Sequence, residues 1–368
     1  MMVRWLCVCL LLFAIFFCVD SLAVSSDGAS IGENSIPDEI MEYLPNDFLD
    51  YSTEEFLEVF TFDTGINTLF AIVNDVFPDV LSAFFLLIGM CVISSVLSAL
   101  KESVCSSSLK YVIEFASVLC ISSAVFSYVK ELFVDFADFS EQVSSFMTIM
   151  VPTMSALMIS CGEITASAAL GSVLAAAVGL LEVLCTYLLT PLISALICIT
   201  VTSSVCGEVD ISGLSKLIKN IIVYIMSATM IVLTSIMTFQ TVIAKSADTA
   251  AVKGVKFVLG NAIPLVGGAL ADAMTTVASS IGMIRAATGI AGAIVICLIF
   301  ALPVIKMMLW KLMFDAIGAV SSAFYLDKES TLFSEISQIT GFLIAIMASI
   351  AMLFVVALTA CAFSSGGK

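Results

Sequence analysis

The residues best placed to do chemistry in this chain are a few charges set among apolar neighbours: Glu114, Glu182, Arg285, Lys311 and Asp315. An ionisable group kept within a membrane helix marks a polar pathway, a proton relay or a buried pair. Lys311 and Asp315 stand four apart, the spacing that brings two side chains together on one helical face. Glu163 and Asp272 sit near the ends of apolar runs and belong to the same class. None of these has the arrangement of a catalytic acid and base. The chain has no histidine. That removes Ser-His-Asp and Cys-His nucleophile systems and the H-E-x-x-H zinc site. Serine and threonine are common in the apolar runs, but no nucleophile elbow or phosphate-binding loop accompanies them. The expectation is a protein that is not an enzyme and uses no cofactor and no metal.

A second constellation is made of backbone rather than charge. Gly260, Asn261, Pro264, Gly267 and Gly268 interrupt an apolar run that leads to Asp272. A backbone opened inside a membrane must find partners in protein or in a wet cavity. Discontinuous helices of this kind form the ion and substrate sites of many transporters, and a hairpin turn or a packing kink has the same pattern. A third constellation is Ser167, Gly171, Ala175 and Gly179, at successive four-residue steps. They form one smooth helical face that lets two backbones approach closely, within one chain or between copies.

The elements that must position these residues are membrane helices. Apolar residues make up 61% of the 368 positions and charged residues 12%, with a mean hydropathy of +1.15. A soluble domain of this size cannot hide that much apolar surface. Uncharged runs cover 80–100, 115–129, 142–162, 164–181, 183–207, 220–244, 286–305 and 336–363. Most approach the length that crosses ~30 Å of hydrocarbon. The expected fold is all-α and polytopic, with about 7–9 spans and one broken or re-entrant segment near 257–284. Of the three runs 142–162, 164–181 and 183–207, one is expected to be re-entrant or fused with its neighbour. The twelve cysteines lie in the leader or in and beside apolar runs and read as small hydrophobes, not as a disulfide framework.

The N-terminus has its own organisation. Arg4, the apolar run from Trp5 to Val19 and the small residues Ser21 and Ala23 form a signal-peptide pattern over 1–23, with cleavage after Ala23. An exported acidic helical segment, 24–79, follows, then a membrane domain, 80–363, and a short tail, 364–368. Residues 20–63 hold twelve acidic residues and no basic one, which accounts for most of the net charge of −16. So acidic a chain does not suit nucleic acid as a partner. Three short helices are expected in the exported segment, the last turning into the membrane at Pro78. Lys101, Lys110, Lys245, Lys253, Lys256, Lys306 and Lys311 are expected in the cytoplasm, and the acidic stretch 130–141 outside. Leu132, Phe136, Phe139, Val143 and Phe146 alternate four- and three-residue steps, opposite Glu131, Asp135, Asp138 and Glu141. That amphipathic helix is expected at the membrane interface, or as a docking face for a basic partner.

Residues 254–277, GVKFVLGNAIPLVGGALADAMTTV, and 289–308, GIAGAIVICLIFALPVIKMM, resemble the C-terminal half of the stage III sporulation protein AE family. The core Lys256 to Pro264 and the stretch Gly289 to Lys306 carry the resemblance, and LLTPLISAL at 188–196 fits its layout. The resemblance implies a subunit of a multi-protein channel assembly, made in the mother cell and placed in its membrane around the engulfed forespore. The implied partners are the lipid bilayer, other stage III sporulation membrane and ring proteins, and a forespore membrane protein across the intermembrane space. Neither the residues nor the resemblance fixes an oligomeric state, and the family brings no catalytic residues. From the residues alone the alternative is a stand-alone secondary transporter with a midplane site at 260–272.

Overall fold

Long stretches of Leu, Ile, Val, Ala and Met fold as helices because a backbone in an apolar solvent must satisfy its own N–H and C=O groups. The computed structural model describes residues 62–103, 107–206, 212–262 and 267–362, with side chains outside 62–69, 101–111, 114, 204–212 and 240–275. Among these residues every element is helical and there is no strand. The helices are α1 (Phe62–Ser103), α2 (Ser107–Ser160), α3 (Ile164–Val183), α4 (Thr190–Cys206), α5 (Ser212–Ala262), α6 (Gly267–Ala323) and α7 (Asp327–Ala362). The expected leader with its cleavage at Ala23, and the acidic strip up to residue 61, lie outside the described residues.

Six helices among the described residues are long and apolar enough to cross a membrane, which does not confirm the seven to nine spans expected: Phe70–Leu100, Phe115–Ser160, Ile164–Ser203, Gly213–Phe239, Thr276–Ala323 and Asp327–Ala362. Several charges expected between spans lie within helices. The runs 115–129 and 142–160 are one helix, α2, with 130–141 inside it. The run 286–305 continues without a break through Lys306 to Ala323 in α6. The apolar part of α6 has 48 residues, about 72 Å at the helical rise, well over one hydrocarbon thickness of ~30 Å. Helix α1 runs through Pro78 without a break, across the expected domain boundary.

The runs 164–181 and 183–207 are fused, through a π turn at Leu184–Leu189. Its cause is local. Pro191 has no N–H to bond four residues back and its ring pushes against that carbonyl. One residue earlier the Thr190 N–H reaches the Cys185 carbonyl, five residues back. The Thr190 hydroxyl donates to the same oxygen at 2.8 Å. The Gly/Pro segment has a simpler outcome. Helix α5 ends at Ala262 and α6 begins at Gly267, and 263–266 lie outside the described residues.

Helices α2, α6 and α7 form the centre, with α6 antiparallel to both neighbours. Phe139 of α2 meets Phe300 of α6 edge to face, ring centres 6.3 Å apart. Tyr128 of α2 stacks on Trp310 of α6 at 4.9 Å. Leu132, Phe136, Phe139, Val143 and Phe146 are all buried. This corrects the expectation of an interfacial helix: the apolar face of 132–146 lies in the protein core, covered by α6.

Two glycines of α6 permit the closest approaches. A Cβ at Gly289 would collide with the Cβ of Ala362 and stand 3.3 Å from its Cα. A Cβ at Gly292 would meet Met150 Cε at 2.5 Å and Leu358 Cδ1 at 3.1 Å, both ends of flexible side chains. Gly289→Ala is therefore expected to lower stability by about 1–3 kcal/mol, since α7 itself must move. Gly292→Ala should lose under about 1 kcal/mol. Thermal unfolding of the detergent-solubilised protein checks the order, and equal losses would refute it.

Candidate functional site: ion pairs inside the helical bundle

Charges within apolar helices must find partners, because an isolated buried charge is unstable by several kcal/mol. Following α6 from its first half to its end meets them in order. Arg285 comes first, with none of its side chain exposed. Its Nη1 donates to Glu163 Oε2 at 2.8 Å. Glu163 is placed by the α2–α3 turn. Gly162, at φ 87°, lets the Gly162 N–H reach the Ile159 carbonyl and the Glu163 N–H reach that of Met158. This is a Schellman closure, with the left-handed residue a glycine. Glu163 stands at the N-cap of α3 but makes no side-chain cap bond; its carboxylate goes to Arg285. The Arg285 Nε and Nη2 groups are buried without a hydrogen-bond partner among the described residues. Cys161 lies in the same turn. Burial pushes its thiol up, Arg285 partly offsets this, and Glu163 adds to the rise.

Twenty-one residues further on, about 31 Å along the helix, stands Lys306. It donates to Glu131 Oε1 at 3.0 Å and to Asp135 Oδ1 at 3.2 Å. The interval 286–305 has no charge and matches one hydrocarbon thickness. Lys306 was expected in the cytoplasm and 130–141 outside. Direct contact excludes opposite sides: two of the four acids of 130–141, Glu131 and Asp135, meet Lys306 at one level of the bundle.

Lys311 and Asp315 follow. They pair at 2.8 Å, and Ser337 of α7 joins both, accepting from Lys311 at 2.8 Å and donating to Asp315 Oδ1. Gly341 leaves room for the lysine stem, its Cβ position 3.1 Å from Lys311 Cε. Lys219 of α5 pairs with Glu335 of α7 at 2.7 Å. Past the end of α6, Glu329 of α7 accepts from Ser94 of α1 and Ser117 of α2, at 2.9 and 3.3 Å.

The residues singled out from sequence are thus dispersed. Arg285 and Lys311 lie in separate clusters. Glu182 is exposed near the end of α3, and Glu114 lies on α2. Gly260 and Asn261 are in the last turn of α5, Gly267 and Gly268 open α6, Asp272 follows on α6, and Pro264 lies outside the described residues. Of the small-residue face, Ser167 is buried and donates to the Ser155 carbonyl at 2.8 Å. Gly171 lies against Ser155, whereas Ala175 and Gly179 are exposed. Sequence reasoning missed the grouping of Lys306 with Glu131 and Asp135, and saw Glu329 only as part of the charged stretch Asp327-Lys328-Glu329, not as a buried group. The one available signal was the four-residue step from Glu131 to Asp135, which sets both acids on one face.

A family model described as stage III sporulation protein AE matches residues 49–365. A curated relative, the stage III sporulation protein AE of Bacillus subtilis (strain 168), is 23% identical over 219 residues. That stretch is 60% of this chain and 55% of the relative, so the match spans little more than half of the relative's length. No solved structure matches the chain.

Proposed function

The chain belongs to the stage III sporulation protein AE family, and from that membership we propose that it is a non-enzymatic membrane subunit of a channel complex linking mother cell and engulfed forespore. The family match over residues 49–365 carries the proposal. Six helices long and apolar enough to span a bilayer support a membrane protein. In this reading the protein sits in the mother-cell membrane around the forespore. It is held there by lipid and by other stage III membrane and ring proteins, and meets a forespore membrane protein across the intermembrane space. Its internal charges are arranged as pairs and triads between helices, the pattern of a fixed bundle. No reacting centre is assigned.

Deleting the gene in its sporulating host is the test. Development should stop after engulfment, with late forespore gene expression lost and restored by a second copy. Engulfed forespores that mature normally would refute the role. The channel assignment needs one more result: the solubilised protein should co-purify with other stage III membrane proteins from sporulating cells. Solute uptake by the purified protein alone, abolished by Asp272→Asn, would instead favour a stand-alone transporter.

A further inference from the structure

A cavity of about 300 Å³ lies where the α6–α7 turn meets α1 and α2, lined by Ser94, Ser98, Ser117, Tyr325, Asp327 and Glu329 among others. Leu97, Ile113 and Leu326 give it apolar walls, and Lys328 also borders it. Three observations set it apart from a packing defect. Glu329 is only 5% exposed, and among the described residues both of its hydrogen bonds come from neutral hydroxyls, Ser94 and Ser117, onto the same oxygen, Oε1. No ion pair of Glu329 is formed among the described residues, although a buried carboxylate is stable only when its charge is met. Finally, Tyr325 is 90% exposed and held at φ 59°, the left-handed region that a glycine would fill without strain. A bulky aromatic kept at such a position points to a use for its side chain.

We propose that this cavity is a binding site for a small organic cation, with a primary ammonium head and a short apolar stem. The ammonium has three donors, and Ser94, Ser117 and Glu329 offer three oxygens already gathered within hydrogen-bonding distance of one another. Asp327, Lys328 and Glu329 together leave one net negative charge at the cavity, matched by one positive charge on the ligand. The leucine and isoleucine walls suit the stem. The volume is at the lower end for small-molecule pockets and far exceeds a bare alkali ion. A divalent ion would be expected to recruit more carboxylates than the single buried one here. The site does not depend on the channel proposal, and either can fail without the other.

Thermal unfolding of the full chain in detergent, with n-butylammonium chloride as probe, tests it. Sodium chloride at equal ionic strength and n-butanol at equal concentration are the comparisons. The midpoint should rise by about 2–4 °C at tenfold above half-saturation. Neither comparison should raise it, and Glu329→Gln should lose the rise. No rise in the natural chain, an equal rise with sodium or butanol, or an undiminished rise in Glu329→Gln would overturn the proposal. Should Glu329→Gln not fold, Ser98→Leu, which fills the cavity from its wall and keeps the carboxylate, decides: a full rise there overturns the site, and its loss supports it.

Discussion

Glu163→Ala is expected to lower the stability of the folded chain by about 3–5 kcal/mol, because it leaves Arg285 buried without a counter-ion. The two ends of this pair are not equivalent. The Arg285 side chain is 0% exposed and that of Glu163 13%. Glu163 lies at a turn, where a carboxylate freed of its partner reaches water by a small rotation. Arg285 lies within α6 and cannot leave without moving the helix. Arg285→Met should therefore lose less than Glu163→Ala. The double change Arg285→Met with Glu163→Leu should recover most of the loss, because apolar packing often equals or exceeds a buried ion pair. Apparent unfolding midpoints in detergent give this order. The Cys161 thiol reports it independently. Arg285 draws its pKa down and Glu163 pushes it up, so alkylation of Cys161 should need higher pH in Arg285→Met and lower pH in Glu163→Ala. A double variant as unstable as Glu163→Ala would show that the pair holds the turn by something other than charge.

What could be read from sequence was periodicity, and what could not was the identity of the surface each face meets. The stripe Leu132, Phe136, Phe139, Val143 and Phe146 was visible as a stripe. Whether it meets lipid or protein depends on Phe300, more than 150 residues away, which no local pattern encodes. The same holds for charge. Lys311 and Asp315 were legible as a pair because the helix itself sets four residues apart side by side. Lys306 and Glu131 are 175 residues apart, and in sequence each looks like the end of a span. Treating mid-helix charges as loops divides one helix into two runs, as at 130–141 of α2. The π turn had a visible cause in Thr190-Pro191, but a proline predicts a disturbance and not its form. The Ser167 to Gly179 face shows the converse limit. Small residues permit close approach, and the structure uses that permission at Gly171 and not at Gly179.

Lys306→Glu should be the second most damaging single change, at about 2 kcal/mol or more. It sets a third carboxylate beside Glu131 and Asp135, where the lysine now stands 3.0 and 3.1 Å from the two acids. The figure stays below that for a fully buried pair because the lysine side chain is 25% exposed and that of Glu131 53%, which lets water screen part of the repulsion. Asp135, at 20%, is the member least able to escape, so the exchange Lys306→Asp with Asp135→Lys should recover stability that Lys306→Asp alone loses. The recovery requires that the two positions touch. Carbodiimide treatment of membranes holding the unmodified protein gives a direct second readout, an amide between Lys306 and Glu131 or Asp135 found by mass spectrometry of the digested chain. If the exchange variant is no better than Lys306→Asp and no such cross-link forms, α2 and α6 do not lie in this register. The opposite sidedness suggested by the charges alone would then stand. If both succeed, 130–141 and Lys306 share one level of the bundle. The uncharged 286–305 of α6 and 142–160 of α2 then lie side by side between that level and the Arg285–Glu163 pair, over the length of one hydrocarbon layer.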